Sequence, residues 1–290
     1  MSMRVDAYEL TGKALPLLRR FEAAHGSDKE AEARARKLGI RAALCGAGAF
    51  LSLFLGGLLA ASFDTPLGFL LLPVFLVAMI VLLVKRSKVK KFDLDDRKLD
   101  AVTRVLRMLS VDIPPESDVG LRVDFRSYQE GGTKSDEQKS GTFGSVKSTK
   151  YTHPWLRLGG VLVDGTRYQL DVVDAVARKE KRKRKYTKVK ERIHSSIQLQ
   201  LRLRPDRYGS SEAVAQQLQG VAPPRPLQLK AVRATGPKLE AVLQTPLYSN
   251  VKGRYQPAEQ GKENLVTADM LLQTMLWAYD GIGRSLAKSA

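Results

Sequence analysis

The chain has 290 residues, with 48 Lys and Arg against 30 Asp and Glu, for a net charge of +18. At 43% hydrophobic and 27% charged it is too rich in apolar residues for a disordered chain. A single cysteine, Cys45, excludes an internal disulfide framework, and the length suits one large domain or two of ordinary size.

Residues 4–24 read as a helix with apolar positions Val5, Tyr8, Leu15, Leu18 and Phe21, and with Gly12 and Pro16 as its weak points. His25-Gly26 then reads as a turn. Ser27-Asp28-Lys29-Glu30 matches a capping box, in which hydroxyl and carboxylate satisfy each other's free backbone donors. The helix it starts would run without interruption into an uncharged run that opens at Ala42.

From Ala42 to Phe63 there are 22 residues without a charge, and from Thr65 to Val84 another 20, separated by Asp64. Crossing a bilayer takes roughly 20 apolar residues, so both runs are long enough. The competing reading is a pair of core helices in a soluble domain. The connection Ser62-Phe63-Asp64-Thr65-Pro66 would force an antiparallel hairpin. Residues 1–41 hold nine Lys and Arg, and Lys85-Arg86-Ser87-Lys88-Val89-Lys90-Lys91 holds five. The positive-inside rule then puts both termini in the cytoplasm and the tip outside.

Gly48, Ser52, Gly56 and Ala60 recur every four residues on the first run, the small-residue face through which helices approach closely in lipid. Such a face packs either on the second run of the same chain or on another copy. Pro73 is expected to bend the second run, freeing the carbonyl of Phe69. Neither run holds an ionisable side chain of the kind that marks an ion or proton pathway.

Asp93 or Asp95 can cap a helix ending near Ser110, with Leu99, Val102, Leu106 and Leu109 on its apolar face and Ile113-Pro114-Pro115 as its stop. Asp93, Asp95, Asp96 and Asp100 lack the glycine and terminal glutamate of a calcium loop, and the first turn of a helix favours acids in any case. Beyond Pro115 the period becomes two: Leu121, Val123 and Phe125 mark a strand. Residues 129–150 are polar and Gly/Ser/Lys-rich and read as a loop. Trp155–Val163 and Thr166–Ala177 form a hairpin about Asp164-Gly165. A strand with Ile197, Leu199, Leu201 and Leu203 comes next, then a short helix Ser211–Leu218. Leu227–Ala234 and Leu239–Thr245 pair about Gly236-Pro237, residues 246–266 are irregular, and Thr267 caps a last helix.

The expected fold is an α+β membrane protein: N-terminal helices (1–41), a transmembrane hairpin (42–84), a basic segment and amphipathic helix (85–115), and a cytoplasmic domain (116–290). That domain would hold about six antiparallel strands in a sandwich or partial barrel, closed by a helix over 267–288. The arrangement resembles that of bacterial membrane effectors with a two-span anchor and a nucleotide-sensing cytoplasmic β-domain, which points to a bacterial inner membrane.

The strongest local feature is Arg178–Arg192, with ten basic and two acidic residues, read as the tip of a long hairpin. Lys181, Arg182, Lys183, Arg184 and Lys185, together with Lys85, Arg86, Lys88, Lys90 and Lys91, are candidate ligands for anionic lipid or another polyanion. One aromatic, Tyr186, is few for a single-strand nucleic-acid binder, so nucleic acid or an acidic protein ranks below lipid. A solvated tip that blocks edge-to-edge association is the plain alternative. His25, His153 and His194 have no partners at metal-ligand spacing, and no nucleophile, phosphate or dinucleotide motif is present. No cofactor, metal or catalytic residue is assigned. The expected function is a non-enzymatic binding, sensing or scaffolding module at the membrane face. The alternatives are an oligomeric ligand-gated effector or pore built on the Gly48 face, and a membrane-tethered enzyme or nucleic-acid binder.

Overall fold

The structure is a computed structural model that describes residues 6–63, 71–90, 94–140, 146–182, 186–252 and 265–289. In chain order, strand β1 (Ala7–Lys13) leads into helix α1 (Ala14–Phe63), followed by α2 (Leu71–Lys90), α3 (Asp96–Asp112), β2 (Asp118–Asp124) and α4 (Tyr128–Gly131). Then come β3 (Thr133–Ser140), β4 (Val146–Val161), β5 (Arg167–Arg182), β6 (Thr187–Arg202), α5 (Pro205–Tyr208) and α6 (Ser211–Gly220). The chain closes with β7 (Gln228–Thr235), β8 (Lys238–Gln244), β9 (Tyr248–Lys252) and α7 (Ala268–Ser289).

Two compact units result, one from Glu22 to Leu94 and one formed by Asp6–Phe21 together with Asp95 onward. The expected boundary at residue 116 is therefore corrected, because the β-unit includes both β1 and α3. Leu99, Val102 and Leu106 on α3 are 0%, 1% and 0% exposed, so a fragment starting at 116 would lose a wall of its core. The expected helix over 4–24 is corrected in its first half only, since the chain is helical from Ala14 onward. Ala7–Lys13 pairs antiparallel with β2, placing Tyr8 opposite Val123 and Leu10 opposite Leu121. Alternation suited to a sheet edge outweighs a weak helical period that Gly12 already interrupts.

The sheet of the β-unit is antiparallel, in the order β1-β2-β4-β5-β6-β8-β7, with β3 added to β4 and β9 added to β6. It is a single sheet, not a sandwich or a barrel. One face carries Leu121, Leu158, Leu170, Val172, Ile197, Leu199 and Leu243, each at most 2% exposed. The helical layer consists of α3 packed on α7, and α6 packed on α7, β7 and β8. The other face is polar: Arg157 Nε donates to Asp171, and Gln198 donates to Glu240. This two-layer arrangement buries one sheet face and one stripe of each helix. Asp95 caps α3 by accepting from the amides of Arg97 and Lys98. The Asp164-Gly165 turn forms as expected, with Gly165 at φ 84°.

Residues 129–150 differ from the expected loop: their described residues form the end of α4, β3 and the start of β4. They add to a sheet already in place, so backbone pairing organises a segment poor in apolar anchors. Residues 248–252, expected to be irregular, form β9.

In the other unit, α1 runs unbroken through Gly26 and Ser27. The capping box does not form; Ser27 Oγ donates to the carbonyl of Ala24 at 2.8 Å. Glycine inside a helix costs about 1 kcal/mol relative to alanine. A tertiary tie one residue further on offsets this: buried Asp28 accepts from the amide of Leu94 at 3.0 Å. α1 and α2 lie antiparallel, since Gly39 meets Arg86, Gly46 meets Met79 and Gly48 meets Phe75. Phe50, Phe54 and Leu44 on α1 and Val74 and Val77 on α2 are all more than 60% exposed. Among the described residues one helix, α1, is long and apolar enough to cross a membrane by length and composition, and 17% of its apolar stretch is buried. The bend expected at Pro73 turns on the carbonyl of Phe69, which lies outside the described residues.

Candidate functional site

The far halves of β4, β5 and β6 run past the apolar core, and their register decides which charges share a face. On the face continuous with the core, His153, Asp174 and Ser195 form one row, Tyr151, Val176 and Ile193 the next, and Thr149, Arg178 and Glu191 the third. On the opposite face, Lys179 stands directly across from Lys190, and Lys181 across from Lys188, with Arg192 one row further in.

The core-side face is charge-balanced. Glu137 on β3 takes Lys147 at 3.0 Å and also Lys134. Arg178 lies 2.7 Å from Glu180 and 3.7 Å from Glu191, and the Tyr128 hydroxyl donates to Glu191 at 2.5 Å. Burial and that bond push the Tyr128 hydroxyl pKa up. Lys179, Lys181, Lys188, Lys190 and Arg192 on the other face enter no ion pair among the described residues.

Where the core-side face meets the start of α3, a cavity of about 550 Å³ is lined by Asp96, Arg97, Lys98, Tyr128, His153 and Asp174, among others. Lys98 is 3% exposed; its ammonium donates to the carbonyls of Asp124 and Arg126 at 2.9 and 2.8 Å. Burial lowers its pKa, and Asp95 opposes that shift. The Arg97 guanidinium lies 5.2 Å above the Trp155 ring and 2.9 Å from Asp174. The other Asp174 oxygen accepts from Ser195 Oγ at 2.5 Å.

His153 is 1% exposed, with Nε2 3.5 Å from Asp124, too far for a hydrogen bond. Burial, and next the nearby Lys98 charge, lower its pKa and keep it neutral. Burial would raise the Asp124 carboxyl, but hydrogen bonds from the Arg126 side chain and backbone outweigh it and hold the pKa at about 2. A Cβ on Gly131 would stand 2.8 Å from His153 Nε2 and 2.6 Å from an Asp124 oxygen. Only glycine lets α4 close over this pair.

His153, Asp174 and Ser195 sit side by side on three strands, but they are not a nucleophile with its base. Ser195 is 0% exposed and bonds the carboxylate rather than the imidazole. Among the described residues no cluster of His, Cys, Asp or Glu could hold a metal ion. The arrangement chemically suits reversible binding of polar groups.

Comparison with family models, curated proteins and solved structures finds no match to this chain.

Of the residues singled out from the sequence, Lys181 lies on the unpaired cation face and Arg182 on the balanced one. Lys183, Arg184 and Lys185 lie outside the described residues. Lys85 and Lys88 are exposed at the end of α2, where the Arg86 guanidinium approaches Gly39 to 3.1 Å of a notional Cβ. Lys90 ends α2, and Lys91 lies outside the described residues. On α1, Gly48 faces Phe75 of the same chain, Ser52 is 5% exposed and donates to Ala49, and Gly56 is buried; Ala60 falls on the same helix. Sequence reasoning weighed His153, within Tyr151–Trp155, as either a pocket lining or a strand anchor, and missed Lys98 and Asp174, which only the register and the α3 cap bring to it. It also stopped short of Lys179, Lys188, Lys190 and Arg192, whose signal was the alternation of basic residues within 178–192.

Proposed function

We propose that the chain is an integral membrane protein, anchored by an α1–α2 hairpin. Its cytoplasmic β-unit serves as a non-enzymatic binding or sensing module at the membrane face. The observation that carries this reading is the exposed apolar surface of α1 and α2. A core helix of a soluble domain hides such side chains, whereas 17% of the apolar stretch of α1 is buried. Phe50, Phe54, Val74 and Val77 would present a patch that water does not tolerate but lipid does. In sequence the second uncharged run, Thr65–Val84, has the roughly 20 residues that a bilayer crossing takes. The basic residues flanking both spans orient both termini to the cytoplasm, in a bacterial inner membrane.

The small-residue stripe supports packing within one chain, since Gly48 is already occupied by Phe75; that contact lends no support to a pore or oligomer seam. Membrane fractionation tests the anchor. The full chain should stay in the pellet through alkaline carbonate and leave it only with detergent. Release by carbonate would contradict it.

A further inference from the structure

The one-sided cation face of β5 and β6 deepens the membrane-anchored reading and rests on it. We propose that Lys179, Lys181, Lys188, Lys190 and Arg192 form a docking surface for the anionic phospholipid headgroups of a bilayer.

Three observations carry this. First, the register sets Lys179 against Lys190 and Lys181 against Lys188. Side chains directly opposite in an antiparallel pair have Cβ atoms about 4.5–5.5 Å apart, and like charges there repel. Two successive opposed lysine pairs work against folding unless something outside the chain neutralises them. Second, the acids nearest in the sheet are on the other face: Glu137, Glu180 and Glu191 engage Lys147 and Arg178 on the core side, and Asp136, the acid of β3 that the register puts on the cation face, stands opposite Lys150 and not opposite any of the four lysines. Third, β5 and β6 are interior strands, β5 between β4 and β6 and β6 beside β9 and β8. Lysines that guard against edge-to-edge pairing belong on an edge, so that explanation does not account for these.

The occupant is set by the chemistry. Four of the five cations are lysines, which act as point charges and lack the fork with which arginine reads bases or single phosphates. Successive residues on one face of a strand are about 6.6 Å apart, so the charges recur at regular spacing along the face. Described aromatics do not interleave with it, as stacking on nucleic acid would require. A flat, many-headed anionic surface matches it, and a membrane anchor would hold that surface at high effective concentration.

The test uses the full chain with Cys45→Ser and Ser148→Cys. Position 148 shares the cation face and pairs with Lys179. A fluorophore there is read in phosphatidylcholine vesicles with or without phosphatidylglycerol, both carrying a headgroup quencher lipid. Quenching is expected only in the anionic vesicles, and is lost as salt rises to about 1 M, where the Debye length falls to roughly 3 Å. Lys179→Gln with Lys181→Gln, Lys188→Gln and Lys190→Gln should weaken the docking by roughly 600-fold, at about fivefold per basic residue. The same variant should melt at an equal or higher temperature than the parent, since the opposed charges are gone. Lys134→Gln with Lys147→Gln, on the other face, should leave docking unchanged.

Equal quenching in neutral vesicles, or an unaffected fourfold variant, overturns the proposal. So does displacement from the vesicles by a single-stranded oligonucleotide at matched phosphate, which would assign the face to nucleic acid. Flotation with neutral vesicles reads the anchor separately: a chain that floats but does not dock retains the anchor and loses this face, and a chain that does not float loses the anchor.

Discussion

Gly48 of α1 stands against the ring of Phe75 of α2 so closely that a Cβ there would be 2.8 Å from Cε1. That distance is well inside van der Waals contact, so a side chain at 48 requires the Phe75 ring, or the helix that carries it, to move.

A larger side chain at 48 must therefore push the ring aside or the helices apart. Gly48→Leu is expected to lower the thermal midpoint of the detergent-solubilised chain, at about 1–3 kcal/mol for overpacking. Phe75→Ala in the same chain should recover much of the loss, and the double-mutant cycle should show coupling. If the stripe served another copy instead, Gly48→Leu would change particle size, and Phe75→Ala would not rescue it.

Lys98 is the buried cation on which β2 and the start of α4 depend. Lys98→Met removes the donor from the buried carbonyl of Asp124 and the part-buried carbonyl of Arg126. The expected loss is about 2–4 kcal/mol, from unsatisfied acceptors at about 1–3 kcal/mol each. Lys13, half exposed beside Asp118, is the control: Lys13→Met should cost under about 1 kcal/mol. Thermal unfolding followed by circular dichroism separates the two.

Acid should destabilise the β-unit in two stages. The pKa of His153 and of His194 is lowered in the fold, in each case first by burial. A base with a lowered pKa keeps its full contribution above the unfolded value, near 6.5, and loses it as pH falls below that. Asp124, held at about 2, contributes fully above the unfolded carboxyl value near 3.9 and loses that contribution between there and about 2. His153→Gln should flatten the upper stage in part, with His194 supplying the remainder, and leave the lower stage in place. An unchanged profile in melting from about pH 7.5 to about 5.5 (about one unit either side of the histidine value) would contradict this.

Ser195 is expected to behave as a structural hydroxyl. Ser195→Ala should cost about 1–2 kcal/mol for a buried bond to a carboxylate. The parent protein should resist serine-directed fluorophosphonate probes; stoichiometric labelling at Ser195 would reopen the enzyme reading.

Much of the fold is written in local patterns. The period-two runs at Leu121–Phe125 and Ile197–Leu203, the Asp164-Gly165 turn, the Asp95 cap and the Thr267 cap on the last helix all depend on neighbours in sequence. What escaped depends on distant pairing. Ala7–Lys13 becomes a strand because β2, over a hundred residues later, offers an edge. Thr133–Ser140 has little to bury and is organised by β4. The charge run at 178–192 was visible, but its division into a balanced and an unbalanced face needs the register of four strands. The His153–Asp124–Lys98 cluster joins β4, β2 and α3 and leaves no spacing in the sequence.

The most direct test of the central claim, a membrane hairpin carrying a cytoplasmic β-unit, is the sidedness of two single cysteines in a Cys45→Ser chain in intact cells. Ser62→Cys, at the end of α1, should react with an impermeant maleimide added outside. Ser210→Cys, exposed at the start of α6, should react only after lysis. Labelling of both from the same side, or recovery of the chain in the soluble fraction, would contradict the account.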